Sequence, residues 1–218
     1  MSASPYLDRR DAGRRLAALL TPWTGAPPLV LALPRGGVPV AFEIARALHA
    51  PLDILLVRKI GAPHNPELGI GAVVEGEPPQ RVLNDELVAA LDVPDAHVEA
   101  EVARQLARIE AQRRQLRGGR PPPAVAGREV ILVDDGIATG GTVRAALQAL
   151  TQAGAARVLL AVPVAPPQTL AQLPLPAQDV VCPLQPYDLQ AVGRFYMDFD
   201  QTDDAEVTRL LAEAAAAP

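Results

Sequence analysis

Residues Val130 to Thr142 concentrate the side chains that could do chemistry. Two adjacent carboxylates, Asp134 and Asp135, follow an apolar run, and Gly136, Ile137, Ala138, Thr139, Gly140, Gly141 and Thr142 come next. The small residues from Ala138 to Thr142 bring backbone N–H groups, two hydroxyls and the start of a following helix to one point, an arrangement that suits a phosphate. Asp134 and Asp135 repel that same phosphate. They suit hydroxyl groups a few ångströms away, or a Mg²⁺ ion, which takes oxygen ligands. A strand ending in an ordinary Asp-Asp-Gly turn would account for the acids but not for the Thr-Gly-Gly-Thr run. The lysine-containing nucleotide loop is excluded, because no lysine precedes Thr142 and the acids come before the glycines.

A second constellation, Leu33 to Val40, follows another apolar run. Gly36 and Gly37 would let the backbone approach a diphosphate that Arg35 neutralises, although a strand-to-helix turn that simply needs glycine is the plainer reading. The third is Arg58-Lys59. The chain holds 20 basic residues, of which Lys59 alone is lysine, so its place after the apolar run Asp53 to Val57 draws notice. His64, in the Gly61 to Gly69 stretch, is a candidate proton donor or simply solvated surface. Four of the seven aromatic residues fall between Tyr187 and Phe199. They either pin the C-terminal segment to the core or offer a ring for stacking.

All thirteen residues from Val130 to Thr142 resemble the signature of the type I phosphoribosyltransferases. That resemblance implies phosphoribosyl pyrophosphate as ligand: Asp134 and Asp135 on the ribose hydroxyls and Mg²⁺, Gly136 to Thr142 around the 5′-phosphate, Arg35, Gly36 and Gly37 on the pyrophosphate. Lys59, Arg58 and Asp135 are then the catalytic candidates, and Gly61 to Gly69 stands where the family carries a mobile loop. The implied activity is Mg²⁺-dependent transfer of the phosphoribosyl group to a nitrogen acceptor, in the first instance a nucleobase, with Phe195 or Tyr196 stacking on its ring and Asp198 or Asp200 reading its exocyclic groups. Ala138 stands where 6-oxopurine enzymes carry an aspartate, and the Ala-Thr-Gly-Gly-Thr form is similar to that of adenine enzymes. Two other classes remain: a non-catalytic regulator binding the same ligand or a nucleotide, and an α/β scaffold whose acids hold metal for hydrolysis. The resemblance also implies a homodimer.

These residues need elements to place them. Val130 to Val133, Leu29 to Leu33, Ile54 to Ile60, Arg157 to Val164 and Val180 to Leu184 read as buried strands, alternating with helices at Val38 to His49 and Val143 to Leu150. The expected fold is α/β: a doubly wound, mainly parallel five-stranded sheet flanked by helices, with a small hood or insert subdomain. In such a sheet, ligands bind beyond the carboxyl ends of the strands. A helix from Leu7 to Leu20 puts Leu7, Leu16, Leu19 and Leu20 on an apolar face and ends at Thr21 and Pro22. Ile70 to Val74 and Arg81 to Leu83 suggest a hairpin or two short strands. Asp95 is expected to cap a helix to about Leu116, with Val102, Ile109 and Leu116 seven apart, and Gly118, Gly119 and Pro121 to Pro123 end it. Asp203 and Glu206 form a capping box for a last helix, and its terminal Ala-Ala-Ala-Ala-Pro is expected to fray. Residues 1–218 thus form one domain, with 70–123 an insert or lid and 185–218 a hood contribution and tail.

The 49% hydrophobic and 21% charged shares are those of a globular protein. No apolar run reaches the ~18 residues of a membrane span, and the first ten residues lack a secretory core. Cys182 is the sole cysteine, which excludes an intrachain disulfide and a cysteine-based metal site and points to the cytoplasm. A net charge of −5 argues against a nucleic-acid partner.

Overall fold

The computed structural model describes residues 6–20 and 26–216. Its centre is a five-stranded parallel sheet in the order β2-β1-β6-β7-β8. β1 (Leu29–Ala32) runs into α2 (Gly37–Leu48) and back to β2 (Leu52–Ile54), after α1 (Arg9–Leu20) has packed beside α2. β6 (Glu129–Val133), α5 (Gly141–Gln152) and β7 (Arg157–Ala161) wind in the opposite direction, and β8 (Val180–Val181) forms the edge. β1 and β6 are neighbours, with Ala32 opposite Val133. The winding therefore reverses between them, and that switch point opens a crevice at their carboxyl ends. Both glycine-containing turns singled out in the sequence begin there.

Alternate residues of β1 and β6 serve two cores. Val30, Ala32, Ile131 and Val133 pack with α1, α2 and the C-terminal helix α7 (Asp204–Ala216). Leu29, Leu31, Val130 and Leu132 pack with Val143, Ala146, Leu147 and Leu150 of α5. Burial on both faces is why these strands read as continuous apolar runs.

The expected strand Ile54 to Ile60 is two strands in two sheets. Leu55 N–H still donates to Ala32 of β1 at 2.9 Å, but Leu56 O accepts from Glu75 N–H at 2.9 Å. From there the chain belongs to a three-stranded antiparallel sheet: β3 (Val57–Ala62), β4 (Asn65–Val74) and β5 (Gln80–Leu83). An apolar run shows burial but not which sheet supplies the partners. The stretch Gly61 to Gly69 is likewise no loop. β3 and β4 form a hairpin turning at Pro63 and His64, with His64 at φ 61°, and its register shifts on either side of Gly61. Residues 65–69 are exposed, so no periodicity marked them. The hairpin of β4 and β5 is as expected.

The short α3 (Asp85–Ala90) precedes α4 (Asp95–Arg117), which is the expected long helix, although Pro94 and not Asp95 holds the capping position. Ile109 and Leu116 are buried as their spacing implies, while Val102 is half-buried. Gly118, at φ 62°, ends the helix in the left-handed conformation. α6 (Pro167–Leu170) and two 3-10 turns complete the fold. The expected helix from Leu7 begins at Arg9, leaving Leu7 exposed before it. Within α1, Leu16 and Leu20 are buried and Leu19 is exposed, with α2 approaching at Gly13, where a Cβ would stand 2.5 Å from Val40 O. Thr21 and Pro22 lie outside the described residues, as do the last two, whereas Ala214 to Ala216 are helical. Glu206 N–H donates to Asp203 Oδ1 at 2.7 Å, half of the expected box. Among the described residues no helix is long and apolar enough to cross a membrane.

Candidate active site

Asp134 and Asp135 leave β6 at the switch point. Asp135 N–H donates to Asp134 Oδ1 at 2.9 Å, which turns the chain and fixes the first carboxylate. The turn after β1 lies against them: a Cβ on Gly36 would stand 2.0 Å from Asp135 Oδ2, and one on Gly37 would stand 2.8 Å from Val133 O. Only glycine permits this approach. The Pro34–Arg35 peptide within that turn is cis. Arg35 itself is exposed, 3.7 Å from Asp204 at the start of α7.

The loop from Gly136 to Gly140 is tied at two points. Ile137 N–H donates to Val164 O at 2.9 Å, and Thr169 Oγ1 donates to Ala138 O at 2.9 Å. Gly140 takes the left-handed conformation, φ 75°, directly before α5, and contributes no side-chain cap to that helix. Ala138, Thr139 and Gly141 are exposed at its amino end, and a Cβ on Gly141 would meet nothing within 4 Å. The uncapped N–H groups and the positive end of α5 therefore face open space, where an anion is favoured.

The electrostatics of the acid pair are shared with Arg9, which nothing in the sequence singles out, and with the C-terminal aromatic segment. Arg9 Nε donates to Asp135 Oδ2 at 2.8 Å, with side chains only 11% and 17% exposed. Its Nη1 donates to Asp200 O at 2.6 Å, and its guanidinium lies 3.8 Å from the centre of the Phe199 ring. Tyr196 Oη donates to Asp135 O at 2.5 Å. Burial, reinforced by the neighbouring charge of Asp135, raises the Asp134 carboxyl well above the usual carboxylate range. No sequence signal marked Arg9, one of several arginines on a polar helix face, because its own partners, Asp135 and Asp200, lie more than a hundred residues away.

The C-terminal aromatics are mostly packed. Tyr196 is buried, its ring 5.4 Å from that of Tyr6 and 4.9 Å from that of Phe199, and Phe195 packs beside it. Burial raises the Tyr196 hydroxyl far above its ordinary pKa, with the Asp135 charge adding to the shift. Tyr187, Met197 and Phe199 are the exposed apolar side chains of this segment. Asp198 and Asp200 are exposed beside them.

Arg58 and Lys59 are not at the edge of the parallel sheet, because they sit on β3. Arg58 Nη2 donates to Gln112 Oε1 of α4 at 2.8 Å, whereas Lys59 is exposed on the opposite face, paired with Ala72. Adjacent strand residues point to opposite faces, so the two cations cannot act together as the sequence suggested. His64 occupies the hairpin turn. Cys182 is a buried free thiol whose pKa burial pushes up to about 12.

Residues 9–182 match the family described as the phosphoribosyl transferase domain. Two Mycobacterium tuberculosis proteins, from strains CDC 1551 and H37Rv and named only provisionally as phosphoribosyl transferases, are each 46% identical over 95% of the chain. The chain spans about half the length of these curated relatives, 46% of each. The crystal structure of TT1426 from Thermus thermophilus superposes with a TM-score of 0.82 at 43% identity, covering 96% of this chain and 98% of that one.

Proposed function

Because the chain belongs to the phosphoribosyl transferase domain family, we propose that it transfers the 5-phosphoribosyl group of phosphoribosyl pyrophosphate to a nitrogen acceptor, a nucleobase in the first instance, and releases pyrophosphate. One observation carries this reading. The Asp134-Asp135 pair, the Gly36-Gly37 turn packed on it and the open amino end of α5 meet at a single crevice. Those three features match the hydroxyls, diphosphate and 5′-phosphate of that donor.

In this reading the N–H groups at the start of α5 and the Thr139 and Thr142 hydroxyls hold the 5′-phosphate. Asp134 and Asp135 accept from the ribose hydroxyls, and Arg9 orients Asp135 through Nε. Arg35 and the backbone at Gly36 and Gly37 take the departing pyrophosphate, whose growing charge they stabilise. The bond from the anomeric carbon to the diphosphate oxygen breaks while a bond to the acceptor nitrogen forms, so positioning and electrostatics are the protein's main contributions.

Among the described residues no group of three or more His, Cys, Asp or Glu side chains could hold a metal. Mg²⁺ is ordinarily held by one or two carboxylates together with substrate phosphates. Asp134 and Asp135 are the residues that would hold it. When bound, Mg²⁺ supplies neutralising charge to the diphosphate. The family reading also carries a homodimer in the cytoplasm, without nucleic-acid or membrane partners.

The test has two steps. Phosphoribosyl pyrophosphate with Mg²⁺ is expected to raise the unfolding temperature, and Asp134→Asn/Asp135→Asn is expected to abolish the shift. No shift in the parent protein would remove the proposal. Pyrophosphate release is then expected with one member of a nucleobase panel. Donor binding without release from any base would identify a regulator.

A further inference from the structure

Helix α4 lies within the segment that interrupts the β/α alternation, and it carries more than packing residues. Its Arg108, Gln112 and Gln115 line a cleft of about 650 Å³, opposite Arg35 of the glycine turn, Arg58 of β3 and Asp204 of α7. Three arginines, from the turn after β1, from β3 and from α4, thus line one cleft with a single carboxylate. Asp204 satisfies little of that charge: it is 3.7 Å from Arg35, both side chains are more than a third exposed, and it also accepts from Gln115 Nε2. Arg58 has a neutral partner, Gln112 Oε1, at 2.8 Å. Arg108 has no hydrogen-bonding or ionic partner among the described residues.

The rest of α4 shows what a merely solvated arginine does on this helix. Arg104 pairs with Glu101, and Arg113 and Arg114 both pair with Glu110. Arg108 has Arg104 and Gln112 one turn away on either side, and Gln105 and Ala111 at the other neighbouring positions, so no acid of its own helix can reach it. Positions 108, 112 and 115 share one face, while 110 and 114 lie on the opposite one. The unpaired cation is on the cleft side.

We propose that Arg108 completes, with Arg35 and Arg58, a binding site for a diphosphate group, so that the inserted helix is a wall of the ligand site. This rests on the reading of the crevice above only in assigning the diphosphate to the donor. The cleft itself follows from the gathered charge. A diphosphate offers acceptor oxygens on two linked centres, and planar guanidinium forks are the groups that match them. Arg35 belongs to the turn that packs on Asp135, which places the cleft beside the acid pair.

The probe is inorganic pyrophosphate, titrated calorimetrically into the full chain at fixed ionic strength, with phosphoribosyl pyrophosphate as a second arm. Arg108→Ala is expected to weaken pyrophosphate binding about tenfold, Arg108→Lys to restore part of it, and Arg114→Ala, on the far side of α4, to change nothing. Arg108 is exposed, so the unfolding temperature should stay that of the parent. Weakening in both arms assigns the cleft to the donor's diphosphate, and weakening for pyrophosphate alone assigns it to the free anion. An affinity for pyrophosphate within twofold of the parent in Arg108→Ala, or no binding by the parent, would overturn the inference. Loss of donor binding in Asp134→Asn/Asp135→Asn tests the crevice separately, so either idea can fail while the other stands.

Discussion

A methyl group at Gly36 would meet Asp135 Oδ2 at 2.0 Å, and Asp135 has little freedom to swing aside because Arg9 holds its carboxylate and Tyr196 its backbone carbonyl. Gly36→Ala is therefore expected to displace the carboxylate by a fraction of an ångström or more without unfolding the chain. A misplacement of that order costs up to about a hundredfold in rate, and pyrophosphate release at saturating donor would read it; unchanged turnover would mean that Asp135 is not where the chemistry happens. Asp134 makes a different prediction. Its raised carboxyl keeps a proton in the native state at pH values where the unfolded chain has released it. Its contribution to stability is thus largest below the ordinary Asp pKa of about 3.9 and is lost as pH rises through the raised native value. Asp134→Asn stays neutral and escapes that loss. Its gain in unfolding temperature over the parent is expected to be larger at pH 8 than at pH 4, while donor binding is lost, which is the usual exchange of stability for function at a site. Equal gains at both pH values would contradict the burial argument.

At the scale of elements, the insertion is held by a buried cluster of charge. Arg117, the last residue of α4, has a side chain that is 0% exposed. It donates to Asp53 Oδ1 at 2.7 Å, to Glu75 Oε2 at 2.8 Å and to the carbonyl of Ile54. Glu75 in turn accepts from Leu56 N–H at 2.8 Å, at the point where the chain passes from one sheet to the other. Burial works against the guanidinium's charge, but the hydrogen bonds and charges of Glu75 and Asp53 more than offset it and raise its pKa. Arg117→Met would leave Glu75 buried without its partner, so a loss of about 3–5 kcal/mol in urea unfolding is expected. A loss below about 1 kcal/mol, the worth of an exposed pair, would show that the cluster is solvated. Because the same residue fixes the end of α4, pyrophosphate affinity should fall with it. The hairpin from Val57 to Val74 shows why elements were harder to read than residues. Its exposed arm has no hydrophobic period, and its turn depends on His64 adopting φ 61°, which residue type alone does not announce.

For the whole molecule, two oppositely wound halves meet between β1 and β6, and the candidate site is where they meet. A ligand bound there touches both halves and stabilises the native state as a unit. At one hundred times its dissociation constant the donor would add about 2.7 kcal/mol, and a domain of this size shifts by about 2–4 °C per kcal/mol. The thermal shift expected of the parent is thus about 5–11 °C on those two scales, large enough that its loss in Asp134→Asn/Asp135→Asn is unambiguous. The amino-acid sequence alone determined the end of one central strand at Val133 and of the other within a residue of Ala32, the glycines beside them and the acids that follow. Each is a local property: burial on both faces, a turn no side chain can enter, a carboxylate at a sheet edge. Tertiary structure alone decided that Arg9 meets Asp135 across 126 residues, that Arg58 and Lys59 part to opposite faces, and that Arg117 is buried. Those outcomes depend on which strand accepts a given N–H and which helix covers a given face. Such choices are made by packing between distant segments, and charged residues carry no periodic mark of the partner they will find.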